Sequence, residues 1–177
     1  MDWKEIQMKI NELLLEIGDK PYQLIPRWSS DGAGSYFSKS LVLPNGKGFE
    51  ITINREDEYA LVNFYVDRSQ RLTGGGDAVA IFSTVINELQ DFVRKYRPPL
   101  LVFTGAYDDP SRTKLYDRLA NRLVTTPAFS GYKNISEYED VWPEDLIYRL
   151  DDIQDVSGQK LYVLASPGYL KKNVYQL

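Results

Sequence analysis

The chain has 177 residues, 43% hydrophobic and 26% charged, and its 21 Lys and Arg against 25 Asp and Glu leave a net charge of −4. That length fits one domain burying roughly 70% of the surface its unfolded chain would expose, and the acidic balance argues against nucleic acid and anionic membranes as partners. With no Cys and no His, disulfide scaffolds, thiolate or imidazole catalysis and the usual zinc sites are excluded, leaving carboxylates, Tyr, Lys, hydroxyls, backbone amides or a bound cofactor.

Trp3, Ile6, Ile10, Leu13, Leu14 and Ile17 recur at helical spacing and predict an amphipathic helix over 2–18, ended by Gly18 and Pro21. Lys4, Glu5, Lys9 and Glu12 interrupt it, so it does not read as a signal peptide. No apolar run is long enough for a membrane span, and a cytoplasmic protein is the expectation. Extended segments follow. Tyr22 to Trp28 is broken by Ser29 to Gly34, and Tyr36 to Leu43 alternates up to the hairpin signal Pro44-Asn45-Gly46. Gly48 to Asn54 alternates again, Arg55-Glu56-Asp57 turns, and Glu58 to Val66 is the strongest strand of an antiparallel meander.

The period then changes. Beyond Gly74-Gly75-Gly76-Asp77, the residues Val79, Phe82, Val85, Ile86, Leu89, Phe92, Val93 and Tyr96 trace one helical face, which Arg97-Pro98-Pro99 ends. Leu100 to Thr104 is a wholly apolar run that suits a central strand buried on both faces. Asp109 caps a second helix with Pro110 in its first turn, and Leu115, Tyr116, Leu119, Ala120 and Leu123 form its inner face. After the polar, aromatic stretch Thr125 to Pro143 come two candidate strands, Leu146 to Leu150 and Lys160 to Ala165, and a short basic tail from Pro167. The prediction is a single α+β (mixed α/β) domain over 1–177, a central, mostly antiparallel sheet flanked by helices.

The glycine run Gly74 to Gly76, between a strong strand and a strong helix, is the segment that can carry chemistry. Glycines there let backbone amides turn toward a ligand, and a helix N-terminus adds unpaired N–H groups, which together cradle phosphate. A plain strand-to-helix connection is the alternative. No Gly-Lys-Ser/Thr follows, so it is not a Walker loop, and the spacing does not fit the dinucleotide fingerprint.

The run Val66-Asp67-Arg68-Ser69-Gln70-Arg71-Leu72-Thr73-Gly74-Gly75-Gly76 resembles the coenzyme A-binding motif of the GNAT acyltransferase superfamily, Gln/Arg-x-x-Gly-x-Gly/Ala, at Arg71, Gly74 and Gly76. The order of elements over about 36–165 is similar as well. The resemblance implies a GNAT-like fold and an acyl-CoA-dependent N-acyltransferase, with acetyl-CoA as the donor and an unidentified amine as the acceptor. By the same resemblance, the amides of Arg71, Leu72, Thr73, Gly74, Gly75 and Gly76 would hold the pyrophosphate, with charge from Arg71 or Arg68. An amide near Val66 or Asp67 would polarise the thioester carbonyl. Tyr116, in the segment SRTKLYDRL, would protonate the leaving thiolate, and Glu58 or Asp67 would act as general base through water.

Two features depart from the family pattern. Asp77 directly follows the last glycine, where its carboxylate competes with a phosphate for the same amides, and Ala120-Asn121-Arg122 stands where Gly-Phe is usual. Tyr116 also reads as a core tyrosine among Leu115, Leu119 and Leu123, Asp77 as a plain N-cap, and Arg68 and Arg71 as solvated loop cations. The glycine loop and SRTKLYDRL look similar, too, to segments of uncharacterised phage-encoded proteins. The rival reading is therefore a catalytically silent protein of this fold, in a virion or the host cytoplasm, that works by binding a virion or host protein. No metal site is expected, because Glu144, Asp145, Asp151, Asp152 and Asp155 lack the order of a calcium loop.

Overall fold

A computed structural model describes residues 28–43, 46–66, 78–106, 110–148 and 159–173. The helix expected over 2–18, the strand segment before Trp28, the glycine loop and Asp109 lie outside the described residues.

The described chain forms an α+β structure around a seven-stranded sheet of order β1-β2-β3-β4-β5-β7-β6. Four strands make the meander: β1 (Ser29–Ser30), β2 (Tyr36–Val42), β3 (Gly48–Arg55) and β4 (Tyr59–Val66). Helix α1 (Ala78–Tyr96) then crosses to β5 (Leu100–Ala106), and α2 (Pro110–Val124) follows it. The short β6 (Lys133–Asn134) and β7 (Gln159–Ala165) complete the sheet, and α3 (Pro167–Asn173) packs beyond it. Only the β4–β5 neighbours run parallel, as a helical crossover between them requires.

Strand β3 shows how the sequence selects its faces. Phe49, Ile51 and Ile53 are fully buried under the helices, while on the opposite face Glu50 and Asn54 are half-buried and Thr52 is buried. Each of the three is worth roughly 1.5–3 kcal/mol relative to exposure. Strand β5 is buried on both sides. Leu101 and Phe103 join the core under α1 and α2, whereas Leu100 and Val102 join a second core with Ile135, Trp142, Leu146 and Tyr169. The two-sided burial expected of its apolar run is met.

The hairpin signal before β3 also holds. Gly46 has φ +82 and its N–H donates to the Leu43 carbonyl at 2.9 Å, the left-handed residue that a three-residue loop uses to close a twisted hairpin. The expected break at Ser29 to Gly34 is displaced. Ser29 and Ser30 pair with Ser38 and Phe37, and the turn begins at Asp31, whose carboxylate accepts the N–H groups of Gly34 and Ser35 at 2.8 and 3.2 Å.

At the end of α1, Arg97 takes a left-handed φ of +45 and donates to the Val93 carbonyl at 2.9 Å. Pro98 and Pro99 then prevent continuation.

One expectation is corrected. The strand predicted at Leu146 to Leu150 is instead helical over 144–148, because Pro143 opens a turn whose carbonyl accepts from Leu146 and Ile147 at 3.0 and 3.2 Å. The short basic tail from Pro167 carries α3, with Tyr169 N–H donating to Ser166 Oγ at 3.2 Å ahead of Pro167 in the first turn. No helix among the described residues is long and apolar enough to cross a membrane.

Candidate functional site

Strands β4 and β5 pair only part of the way. Their parallel register runs from Tyr59↔Leu100 to Val62↔Phe103 and stops. Beyond it Asn63 to Val66 stay paired with β3, and Thr104 to Ala106 stay paired with β7. Neither strand frays. The sheet forks, and the fork opens at the carboxyl ends of two parallel strands, where open mixed sheets place their ligands.

The hydrogen-bond phase of β4 follows from its hairpin. The Glu56 N–H donates to the Tyr59 carbonyl at 2.8 Å, and the register to β3 is unbroken from Arg55↔Ala60 to Phe49↔Val66. In such a ladder alternate residues direct their backbone groups to each neighbour. Tyr59, Leu61, Asn63 and Tyr65 therefore serve β3, and Ala60, Val62, Phe64 and Val66 face β5. Ala60 and Val62 meet the paired stretch of β5, whereas Phe64 and Val66 lie past its last pair. The fork thus presents backbone amides without a ladder partner across it.

Aromatic rings fill the helix side of the fork. Tyr116 of α2 is 4% exposed and stacks near Phe64 of β4 (6.3 Å between centroids, 17° between planes) and Tyr162 of β7 (6.0 Å, 27°). Phe82 of α1 meets it edge-on at 6.2 Å. Gly105 makes room for the ring, because a Cβ there would stand 2.6 Å from Tyr116 Cγ. Tyr162 donates to the Thr113 carbonyl at 3.2 Å. Burial, and then the Asp117 carboxylate, push its phenol far above the usual tyrosine range, so it stays protonated.

Lys160, opposite Gly105 in the register, bridges Glu137 at 2.8 Å and Asp117 at 3.5 Å. Desolvation works against its charge, but the hydrogen bond to Glu137 and the charge of Asp117 outweigh it and hold the ammonium above its ordinary pKa.

The expected site residues are distributed unevenly over this geometry. Val66 and Tyr116 lie at the fork. Glu58 does not. It is exposed in the turn that starts β4, eight residues or roughly 26 Å of strand from Val66, and its charge acts on Tyr169 on the far side of the sheet. The general-base role read from sequence is thus not supported by position for Glu58. Asp67, Arg68, Arg71, Leu72, Thr73, Gly74, Gly75 and Gly76 lie outside the described residues, in the connection from β4 to α1. Sequence reasoning missed Phe64 and Gly105. Phe64 looks like one more core aromatic, and only the register marks its amide, although a glycine interrupting an apolar strand is itself a sign of close approach.

Among the described residues, no cluster of three or more Asp or Glu is placed to hold a metal. Comparison of the chain with protein-family models, with curated proteins and with solved structures finds no match.

Proposed function

We propose that the chain is an acyl-CoA-dependent N-acyltransferase-like protein that receives the acyl thioester in the fork between β4 and β5. The observation that carries this reading is the end of the β4–β5 ladder at Val62↔Phe103 while both strands continue. The fork leaves amides at Phe64 and Val66 for a thioester carbonyl oxygen, and donors aimed at an oxygen that gains charge are the usual means of acyl-transfer catalysis. The segment leaving Val66 carries Arg71, Gly74, Gly75 and Gly76 of the coenzyme A-type motif and leads into α1. The pyrophosphate of acetyl-CoA would lie there, its acyl end in the fork. Tyr116 is the phenol proposed to act beside that end, with Tyr162 stacked against it at 6.0 Å.

A second reading is favoured by one observation. Tyr116 is closed in by Phe64, Phe82, Phe103 and Tyr162, an environment suited to a core ring. A catalytically silent protein of the same fold, working by binding a host or virion protein, keeps the fork without using the phenol.

Thermal unfolding with acetyl-CoA and with desulfo-CoA separates the two. A ligand at 100 times its Kd stabilises the folded state by about 2.7 kcal/mol, a rise of several degrees at this length. A saturable rise that Gly75→Glu abolishes supports the acyltransferase reading. No rise with either compound, together with a defined partner recovered in a pull-down, supports the second.

A further inference from the structure

We propose that the cavity between the outer strands β1–β2 and the last two turns of α1 is a binding site for a small aromatic carboxylate. The cavity measures about 430 Å³, within the range of roughly 300–1,000 Å³ typical of small-molecule sites. It lies toward the far end of α1 from Phe82, the residue of that helix at the fork, roughly 14–21 Å along the helix axis at about 1.5 Å per residue, so it stands independently of the acyltransferase reading.

Its walls are aromatic and mutually braced. Trp28 meets Phe92 edge-on at 6.0 Å, Phe92 lies 4.7 Å from Tyr96, and Phe37 lies 4.8 Å from Tyr96. Trp28 and Tyr96 are only partly buried and can receive a planar ligand by stacking or edge contact, while the buried rings of Phe37 and Phe92 hold them in place from behind.

The polar groups at the cavity leave one charge to be answered. Lys39 is 8% exposed. Its ammonium bonds Glu88 at 2.6 Å and lies 5.1 Å from the Trp28 ring, fixing the indole. Asp91 is paired with Arg94 at 2.8 Å. Lys95, also on the wall, has no carboxylate partner among the described residues and rests 5.0 Å from the Tyr96 ring. The guanidinium of Arg55, 5.7 Å from the same ring, adds to the positive field.

A net-positive lining in a chain of net charge −4 selects an anion. A single unmatched ammonium suits a monoanion, and the rings suit one carried on a planar apolar body.

The test uses the full chain with 1-naphthoate and indole-3-acetate, each beside its neutral amide, followed by calorimetric titration and by NMR. At least one acid is expected to bind saturably with one-to-one stoichiometry, shifting resonances of Trp28 and Tyr96. Its amide and the Lys95→Met variant are each expected to weaken binding about tenfold, the usual loss on removing one charge-assisted contact. Lys95 is exposed, so the variant keeps the fold, which circular dichroism verifies. The proposal is overturned if neither acid saturates at millimolar concentration, if acid and amide bind equally, or if Lys95→Met binds like the parent.

Discussion

The ring of Tyr116 lies so close over Gly105 that a Cβ at position 105 would stand 2.6 Å from Tyr116 Cγ and 2.8 Å from Tyr162 Cε2. Both obstacles are buried rings rather than flexible chain ends, so the added methyl cannot be accommodated by a rotamer change. Gly105→Ala is expected to cost about 1–3 kcal/mol, the usual range for overpacking a filled core. Urea unfolding measures it. An unchanged midpoint and slope would mean that the rings under the fork give way freely.

The same ring separates packing from chemistry. Tyr116→Ala empties the space between Phe64, Phe82, Phe103 and Tyr162 and should destabilise by about 3–5 kcal/mol. Tyr116→Phe keeps the ring and should retain most of that stability. Under the acyltransferase reading the Phe variant still responds to acetyl-CoA in thermal unfolding while turnover falls by roughly 10²–10⁴-fold. Full turnover in that variant would remove the phenol from the reaction.

What the sequence made legible follows from local signals. Strand β3 and helix α1 carry clear periods of two and of 3.6, and Phe49, Ile51, Ile53, Phe82, Val85, Ile86, Leu89, Phe92 and Val93 are buried as the pattern selects, although Thr52, Ile81, Ser83 and Thr84 are buried as well. The described segment 125–148 defeats that reading, because its order comes from single contacts. Trp142 Nε1 donates to the Ile135 carbonyl at 3.0 Å, and Tyr169 Oη donates to the Val141 carbonyl at 2.6 Å across 28 residues. Leu146 to Leu150 looks extended by composition, yet Pro143-Glu144-Asp145 before it is a helix opening, and that local signal prevails. The fork was illegible for another reason. Pairing between β4 and β5 is a relation between strands, and nothing in either sequence states where it ends.

The Lys39–Glu88 pair joins β2 to α1 with side chains only 7% and 13% exposed. Removing one partner strands a buried charge, so Glu88→Gln or Lys39→Met is each expected to cost about 3–5 kcal/mol. The double variant Lys39→Met/Glu88→Leu should recover most of the loss, since a desolvated pair gains little over apolar replacements of similar size. A double-mutant cycle by chemical denaturation measures the coupling. Simple additivity of the two single costs would contradict a direct pair.

Alkaline pH should destabilise the fold through its buried phenols. Burial raises Tyr132, and burial followed by the charges of Glu58 and Asp145 raises Tyr169, each to about 12, while Tyr162 goes higher still. Unfolded tyrosine titrates near 10. The folded values lie above the unfolded one, so this stabilisation is complete below about pH 10 and is lost as pH rises from there through about 12. Unfolding free energy should therefore be flat between about pH 8 and 9.5 and fall beyond about pH 10. Tyr132→Phe, which removes the bond to the Pro98 carbonyl at 2.8 Å, should lessen the slope. A curve still level at about pH 11.5 would contradict the burial of these hydroxyls.

Strand β6 is only two residues long, and the pairing it begins is carried on by other groups. Ile135 N–H donates to the Val163 carbonyl at 2.8 Å, and the Val163 N–H donates to Ser136 Oγ at 2.9 Å. A hydroxyl thus takes the place of a strand carbonyl beside a fully buried residue. Asn134 Oδ1 holds the serine by accepting from its N–H at 3.1 Å and from its hydroxyl. Ser136→Ala leaves the Val163 amide buried without an acceptor and is expected to cost about 1–3 kcal/mol. Hydrogen exchange gives the local reading. The Val163 amide should lose protection in the variant while those of Leu101 and Ile51 follow only the global change, and equal loss at all three would show that Ser136 acts on the whole fold rather than on one hydrogen bond.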